Sequence, residues 1–384
     1  MKIFKIYNIK NKFKIISFFA LVSLLLIFSK ANFESVKSST YLFFNNILPS
    51  LFPFIFFTEL ILNSDIIDTL SHSLGNFIKK SLKLNKNCTP AIIIGFLCGY
   101  PMGSKTVTCL YENNKISKRE ANILLTFVNN CNPVFILSTI GISIFNNTKI
   151  GIILLISHYI SALIICIFVT KFKSSSIIHE SLSISKDFDK NNVKTKDITS
   201  LFDIIKKSIP KAFFTLLNIF GFIIIFNLLS NMVKIFLHKL NISNSIITLT
   251  TSIFEITKGC NDIFNLNIDE KLKIYIISFL LGFSGICILC QVYSTITNKI
   301  FTLKKLVISK LMQGFLSFIS TYILLNLTNF SYNSLDAYKN INSSIITYSD
   351  FLNNIKITYI NSIFIIITLL CVFSSMYINL HKKK

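Results

Sequence analysis

The feature that most constrains this chain is a series of apolar runs of membrane-spanning length, separated by polar loops rich in lysine. The predicted spans are 15–28, 41–62, 90–111, 121–145, 151–170, 209–237, 245–264, 272–297, 306–327 and 357–379. Crossing the hydrocarbon core of a bilayer takes about 20 apolar residues in a helix, and only helices and closed barrels satisfy backbone polar groups there. Hydrophobic residues make up 52% of the 384 residues. The sequence therefore predicts an all-α polytopic membrane protein in contact with a lipid bilayer.

The net charge of +22 comes from lysines in the loops and tails, not from a basic patch on a soluble domain. The positive-inside rule places such lysines on the cytoplasmic side of a membrane, so we predict no nucleic-acid partner. The nine cysteines are scattered through apolar segments, and the Cys-Ile-Leu-Cys sequence at 287–290 lacks the second ligand pair that a zinc site needs. We predict neither a metal site nor a cofactor.

The run at 90–111 contains an interruption that a lipid-facing helix does not tolerate. Gly99, Tyr100, Pro101 and Gly103 lie in it, and Lys105 follows. Backbone N–H and C=O groups that lose their helical hydrogen bonds at membrane depth find new partners only where the backbone is buried in protein or lines a water-filled cavity. Backbone amides beside an ammonium suit a solute that carries a carboxylate or a phosphate, so we predict that these five residues bind a small anionic solute. In the alternative, Lys105 snorkels to the interface and the glycines serve helix packing.

A second interruption is formed by Asn129, Asn130 and Asn132, which precede Pro133. Amide side chains both donate and accept hydrogen bonds, so they can replace the hydration of a solute. We predict that the three asparagines contribute to substrate binding. Hydrogen bonds between helices would use the same residues without a ligand.

Three titratable residues inside apolar runs complete the first set of candidates: Glu59, His158 and Glu255. An ionisable side chain at membrane depth is costly unless it is paired, neutral or hydrated. We therefore predict that both glutamates face the interior of the bundle. The alternatives are an interfacial position for Glu59, a structural hydrogen bond for His158, and an ion pair between Glu255 and Lys258 one turn away.

The second half of the chain repeats features of the first. Gly282 and Gly285 frame a segment similar to 95–99, and an Asn-Lys-Ile sequence follows each segment, at 114–116 and at 298–300. Paired interruptions in two halves indicate a transporter site at the interface of two repeats. We therefore predict two related halves, each with a gate-like repeat. The boundaries are 1–170 for the N-terminal half, 171–207 for a polar cytoplasmic linker and 208–384 for the C-terminal half.

The lysine-rich linker decides between two topologies. If 90–111 crosses the membrane fully, the linker falls outside, against the positive-inside rule. If this segment is re-entrant, the linker and the lysine tail both lie in the cytoplasm. We predict re-entrant segments around Gly99 and around Gly282, whereas full crossings would produce the inverted repeats of many transporters.

The sequence Gly282-Phe-Ser-Gly285 also matches the Gly-x-Ser-Gly of rhomboid intramembrane proteases, in which a later helix supplies a catalytic histidine. In this chain the only later histidine is His381, in the C-terminal tail. A serine nucleophile needs a base within reach, so we predict that the protein is not an enzyme.

An ordered set of motifs carries a resemblance to a known family. The motifs are Ser50-Leu-Phe-Pro-Phe54, Gly99-Tyr-Pro-Met-Gly103, Asn114-Lys-Ile-Ser-Lys118, Asn129-Asn130 with Pro133, His158-Tyr159, Phe254-Glu-Ile-Thr-Lys-Gly259 and Gly282-Phe through Gln291. Together they resemble the sporulation integral membrane protein YlbJ family, whose members carry nucleoside-recognition (gate) domains. This chain departs from the pattern of that family at two places: Cys131-Asn132 precede Pro133, and Leu289-Cys290 precede Gln291. The resemblance adds Gln291 to the substrate-binding candidates and implies an architecture similar to concentrative nucleoside transporters, with re-entrant hairpins and broken helices.

The same resemblance implies a transporter of a small anionic solute during endospore formation. The specific expectation is dipicolinic acid, moved from the mother cell toward the forespore across the outer forespore membrane, a bacterial cell membrane derived from the mother cell. The alternatives are a transporter of nucleosides or other small solutes, and a sporulation scaffold or signalling protein that transports nothing. Paired polar interruptions favour a transporter because a scaffold does not require them, and homo-oligomerisation stays open.

Overall fold

The structure is a computed structural model that describes residues 26–172, 201–296 and 301–328, together with Phe19 and Ser23. Throughout these ranges the regular secondary structure is helical, which confirms the predicted all-α fold. Five helical segments of the described residues are long and apolar enough to cross a membrane, one of them being the interrupted segment Glu270–Ser294. The predicted span 357–379, most of 15–28 and most of the linker lie outside the described residues.

The helices are numbered in chain order. Up to residue 172 they are α1 (Ser29–Leu62), α2 (Ile66–Leu82), α3 (Thr89–Leu97), α4 (Met102–Glu112), α5 (Lys118–Leu124), α6 (Phe135–Ile144) and α7 (Thr148–Phe172). From residue 201 they are α8 (Leu201–Lys239), α9 (Asn244–Ser252), α10 (Ile256–Phe264), α11 (Glu270–Phe283), α12 (Gly285–Ser294) and α13 (Leu303–Leu327).

Helices α1 and α8 form an antiparallel pair. The Ser35 hydroxyl near the start of α1 donates to the carbonyl of Asn227 near the end of α8, at 3.3 Å. At the other end of the pair, the Asn63 amide donates to the Ser208 hydroxyl at 3.2 Å. The pair packs against α3, α4 and α12 through an apolar cluster, which buries surface that water would otherwise contact. The cluster consists of Phe43, Ile47, Ile55, Ile94, Cys98, Met102, Ala212, Leu216, Ile219, Ile223 and Cys287.

Two prolines lie inside α1, where the sequence predicts a kinked or interrupted helix. The helix continues through Pro49 and Pro53, and the turn before Pro49, Phe43–Ile47, has the wider π geometry. Proline lacks an N–H and its ring crowds the preceding turn. A π turn absorbs such a local disruption without ending the helix.

Helices α3 and α4 form a hairpin that reverses the chain at residues 98–101. Gly99 at the tip has a φ of +80°, in the left-handed region where glycine is favoured. The two helices touch through glycines, since a Cβ on Gly103 would lie 3.1 Å from the Cα of Gly95. Both glycines also abut the carbonyl oxygen of Val128. This reversal is the geometry that a re-entrant segment around Gly99 requires.

The second hairpin is α9–α10, and it corrects two expectations. The run 245–264, predicted as one span, is divided at residues 253–255, and a Cβ on Gly259 would lie 2.7 Å from the Cα of Ser252 across the hairpin. The predicted reversal around Gly282 is wrong, because α11 continues into α12 and Glu270–Ser294 forms one candidate span. Two consecutive left-handed residues, Ser284 with φ of +75° and Gly285 with φ of +70°, interrupt that span without turning it back.

The Asn-rich interruption separates α5 from α6. After α5 the chain leaves helical geometry, runs through residues 129–132 without regular structure and resumes as a helix at Pro133. Helix α6 has π geometry over Phe135–Ile144. The described chain thus contains two hairpins, α3–α4 and α9–α10, and two interrupted helices, α5–α6 and α11–α12.

The cationic residues are concentrated at one end of the bundle, which we call the linker end because the chain leaves α7 and enters α8 there. Its lysines are Lys79, Lys80, Lys83, Lys86, Lys115, Lys118, Lys206, Lys207, Lys211, Lys304 and Lys305. The opposite end, marked by the bond from Asn231 to the Ala31 carbonyl, has fewer lysines and also holds Asp269 and Glu270. By the positive-inside rule, we expect the linker end to face the cytoplasm.

This orientation predicts the outcome of cysteine labelling in a cysteine-free background. Lys80, Lys149 and Lys239 are exposed on the described surface, the first at the linker end and the other two at the opposite end. A membrane-impermeant thiol reagent added to intact cells should label Lys149→Cys and Lys239→Cys but label Lys80→Cys only after permeabilisation. Labelling of Lys80→Cys in intact cells would contradict the orientation.

Candidate functional site

The larger of two cavities beside the hairpin tips has a volume of about 300 Å³ and lies between α4, α8 and α12. This is at the lower end of the range for small-molecule sites, about 300–1,000 Å³. Its polar lining comes from Lys105, Thr108, Glu112, Thr215, Asn218, Gln291, Ser294 and Thr295, and its other walls include Pro101, Ile219 and Phe222. The cavity therefore combines apolar walls with one ammonium, the carboxyl group of Glu112 and several uncharged hydrogen-bonding groups.

Lys105 is held in this wall by an ion pair with Glu59 of α1, and it also donates to the Thr215 hydroxyl of α8 at 2.9 Å. Glu59 is 2% exposed, so it faces the interior of the bundle as predicted. The Lys105 side chain is 31% exposed, because part of it borders the cavity. The ion pair links the first hairpin to the α1–α8 pair.

The smaller cavity, about 40 Å³, lies where the tips of the two hairpins approach each other. Tyr100 of the first tip and Glu255 of the second line it, together with Asn132 from the interrupted α5–α6. Ile219 and Gln291 line both cavities, so the two spaces adjoin. The structure thus brings the predicted residues Tyr100, Pro101, Lys105, Asn132, Glu255 and Gln291 to one region.

Glu255 caps the N-terminus of α10. It is 4% exposed, and its carboxylate accepts hydrogen bonds from the backbone amides of Thr257 at 2.9 Å and Lys258 at 2.8 Å. An acidic N-cap satisfies amides that have no partner within the helix. The prediction that Glu255 faces the interior is confirmed. The hydrogen bond that joins Glu255 to Lys258 comes from the backbone amide of Lys258.

The asparagines of the second interruption bond mainly to the protein. Asn129 accepts from the Ser104 amide at 2.9 Å, which joins the interruption to the start of α4. Asn132 donates to the Cys98 carbonyl at 3.3 Å and lines the smaller cavity. Asn129 and Asn130 are fully buried behind it. Asn129 and Asn130 therefore agree with the alternative to substrate binding, in which the amide side chains form hydrogen bonds between helices.

His158 lies on α7 behind the same interruption and is fully buried. Its Nε2 accepts a hydrogen bond from the Cys131 amide at 3.0 Å, which assigns the proton of the neutral ring to Nδ1. Beside it, the Tyr159 hydroxyl donates to the Phe96 carbonyl at 2.5 Å. This is the geometry of a structural hydrogen bond that holds the interruption in place.

The glycines of the second half serve close packing. A Cβ on Gly282 would lie 2.8 Å from the carbonyl oxygen of Gln313 on α13. Gly285 has a φ of +70° and lies against Ile256 at the start of α10. Behind the turn, the backbone amides of Ile286 and Cys287 donate to the carbonyls of Ile253 and Phe254, at 2.8 and 2.9 Å. We call these two hydrogen bonds the tip joint.

Sequence reasoning missed polar residues on two helices that appear as ordinary spans. Thr215 and Asn218 line the larger cavity from α8. On α13, the Lys310 ammonium contacts the Asn129 carbonyl, and Gln313 contacts Asn130. The available signal for Lys310 was a charged residue inside the predicted span 306–327, which is the same signal that selected Glu59.

Comparisons with known proteins agree with the motifs. Residues 44–170 match the Gate family, described as nucleoside recognition. The chain is 25% identical over 329 residues to the Sporulation integral membrane protein YlbJ of Bacillus subtilis (strain 168), with 79% of this chain and 80% of that protein covered. No solved structure gives a significant match. These findings confirm the predicted resemblance: residues 44–170 are similar to the nucleoside-recognition (Gate) family, and most of the chain is similar to a sporulation integral membrane protein.

Proposed function

We propose that the protein is a carrier, not an enzyme, that moves a small anionic solute across the membrane. The observation that carries this proposal is the convergence of both hairpin tips and the interrupted helices α5–α6 and α11–α12 on two adjoining cavities. Interrupted backbone at membrane depth is typical of transporter binding sites. A sporulation scaffold or signalling protein would need no solute-sized space at these interruptions.

The solute that we propose is dipicolinate, a small aromatic dianion. Lys105 supplies an ammonium at the wall of the larger cavity, while Ile219 and Phe222 supply apolar surface for an aromatic ring. The similarity to a sporulation membrane protein supports a role in endospore formation. In this proposal the carrier lies in the outer forespore membrane and moves its solute from the mother cell toward the forespore.

A nucleoside is a second candidate, favoured by the polar groups that line the smaller cavity beside the larger one. Glu255, Asn132, Thr257 and Gln291 present one carboxylate and several neutral polar groups there. A carboxylate accepts hydrogen bonds from sugar hydroxyls and repels a carboxylate of the solute. The nucleoside-recognition description of residues 44–170 agrees with this candidate.

Uptake by proteoliposomes tests both candidates. We expect purified protein to accumulate labelled dipicolinate faster than protein-free liposomes, and unlabelled dipicolinate to compete more strongly than nucleosides. Uptake of nucleosides that dipicolinate does not inhibit would reverse the assignment. If neither solute entered at a rate above that of protein-free liposomes, the dipicolinate and nucleoside assignments would both be wrong and a scaffold role would be favoured.

A further inference from the structure

Helix α13 carries a buried ammonium beside the interruption of α5–α6. Lys310 is 1% exposed, and its Nζ donates to the backbone carbonyl of Asn129 and, at 2.7 Å, to the side-chain oxygen of Gln313. Gln313 in turn donates to the side-chain oxygen of Asn130 at 3.0 Å. Lys310 and Gln313 therefore hold the unwound segment from behind, outside the two cavities.

The partners of this ammonium are neutral oxygen atoms. Among the described residues, no carboxylate lies within ion-pair distance of Lys310. The titratable groups that interact electrostatically with it are Cys131 in the interruption and His158 on α7. His158 already accepts a hydrogen bond from the Cys131 amide. A buried charge normally needs a partner of opposite sign, so this arrangement calls for an explanation beyond an ordinary ion pair.

The ligand set is the kind that binds a monovalent metal cation. Where a transporter helix is interrupted, unwound backbone carbonyls commonly coordinate the coupling Na⁺. Here the backbone carbonyl of Asn129 and the side-chain oxygen of Gln313 lie at such an interruption, and an ammonium from the protein itself donates to both. The side-chain oxygen of Asn130 joins the group indirectly, because it accepts from the Gln313 amide. The lysine stem enters from α13, so this cation cannot dissociate.

We propose that Lys310 is a tethered cation that takes the place of Na⁺ at the α5–α6 interruption, so that solute transport by this chain is independent of Na⁺. The inference deepens the proposed carrier function. A tethered ammonium, while it is protonated, keeps the interruption organised, and it leaves this site unable to couple the solute to a sodium gradient. Lys310 is thus a positioning residue, since it acts through Asn129 and not on the solute.

The first test needs no solute and uses the purified full-length chain. A cation that binds the folded state raises its melting temperature. We therefore expect the same Tm in sodium chloride and in choline chloride at equal ionic strength. A Tm that rises saturably with Na⁺ in the natural chain would overturn the proposal.

The second test replaces the ammonium. Lys310→Met keeps the length of the side chain but leaves the oxygens unpaired, so we expect Tm to fall by on the order of 5 °C. Lys310→Arg keeps a cation and should recover part of that loss, and Lys304→Met, at an exposed position on the same helix, should change nothing. A Tm of Lys310→Met equal to that of the natural chain, or a Tm of Lys310→Arg no higher than that of Lys310→Met, would contradict the proposed role. If Lys310→Met does not fold, the Tm of the natural chain in the two salts and the Tm of Lys310→Arg still test the proposed role of Lys310.

The third test is uptake of labelled dipicolinate and nucleosides with sodium or choline outside. We expect the natural chain to take up its solute at the same rate in both salts. Uptake that requires Na⁺ would overturn the tethered-cation proposal while leaving the carrier proposal intact. Absence of uptake of either probe would count against the proposed solutes, and the melting measurements would then decide the role of Lys310 by themselves.

Discussion

Lys105→Ala should reduce uptake of an anionic solute by at least about tenfold, which corresponds to a loss of about 1.4 kcal/mol of interaction, while the protein still inserts into the membrane. The ammonium borders the larger cavity, so its removal takes away the positive charge nearest to the solute. It also strands the buried carboxylate of Glu59. Breaking a buried pair costs about 3–5 kcal/mol, and the partial exposure of Lys105 puts the expected cost at the lower end.

Companion variants separate recognition from stability. Lys105→Arg retains the charge and should retain part of the uptake. Lys105→Gln combined with Glu59→Gln removes the stranded charge, so it should restore Tm without restoring uptake of the anion. Lys115→Ala breaks an ion pair with Asp68 nearer the surface and is the matched control, with normal uptake expected. Uptake by Lys105→Ala at the normal rate would show that the lysine is only an anchor and that the anion binds elsewhere.

Gly95→Ala should lower Tm by roughly 5 °C or more, because overpacking costs about 1–3 kcal/mol and each kcal/mol shifts Tm by about 2–4 °C in a domain of 150–250 residues. A Cβ at Gly95 would lie 2.1 Å from the Val128 carbonyl oxygen, a backbone atom that cannot rotate away. The first hairpin would then have to separate from the interruption it packs against. We expect solute uptake to fall in parallel.

Gly221→Ala is the matched control for this substitution. Gly221 lies inside α8, and a Cβ there would meet nothing within 4 Å. Alanine is also the better helix former by about 1 kcal/mol, so Tm should stay the same or rise slightly. Equal Tm values for the two variants, measured by thermal unfolding in detergent, would show that the close approach at Gly95 is not required.

The sequence predicts those parts of the fold that depend on local chemistry. Gly99 and Pro101 mark the first hairpin because a sharp reversal needs residues with unusual backbone preferences. The division at residues 253–255 has no glycine or proline, since it is stabilised by the amides of Ile286 and Cys287, some thirty residues later in the chain. A local pattern cannot report a partner of that kind, so 245–264 is read as one span and the reversal is misplaced to Gly282.

The candidate site shows the same limit. Glu59 and Lys105 are each recognisable as charges inside apolar runs, but their pairing joins α1 to α4 and depends on how the first hairpin packs. Thr215 and Asn218 carry no charge and no unusual backbone preference, so nothing in the sequence distinguishes them from hydrogen-bonded residues elsewhere in a span. Their role at the cavity follows only from the packing of α8 against α4 and α12.

The tip joint has a consequence for how this protein can diverge. Both of its hydrogen bonds run between main-chain atoms, so the side chains at 253, 254, 286 and 287 are free to change without loss of either bond. Only proline at 286 or 287 would remove a donor. Close packing, in contrast, requires glycine at fixed positions in both hairpins, at Gly95 and Gly103 in the first and at Gly259 in the second. The first hairpin also lies inside the residues 44–170 that the family match covers. Relatives can therefore change the side chains of the tip joint and still keep both of its hydrogen bonds, so this joint can persist where the sequence around it no longer does.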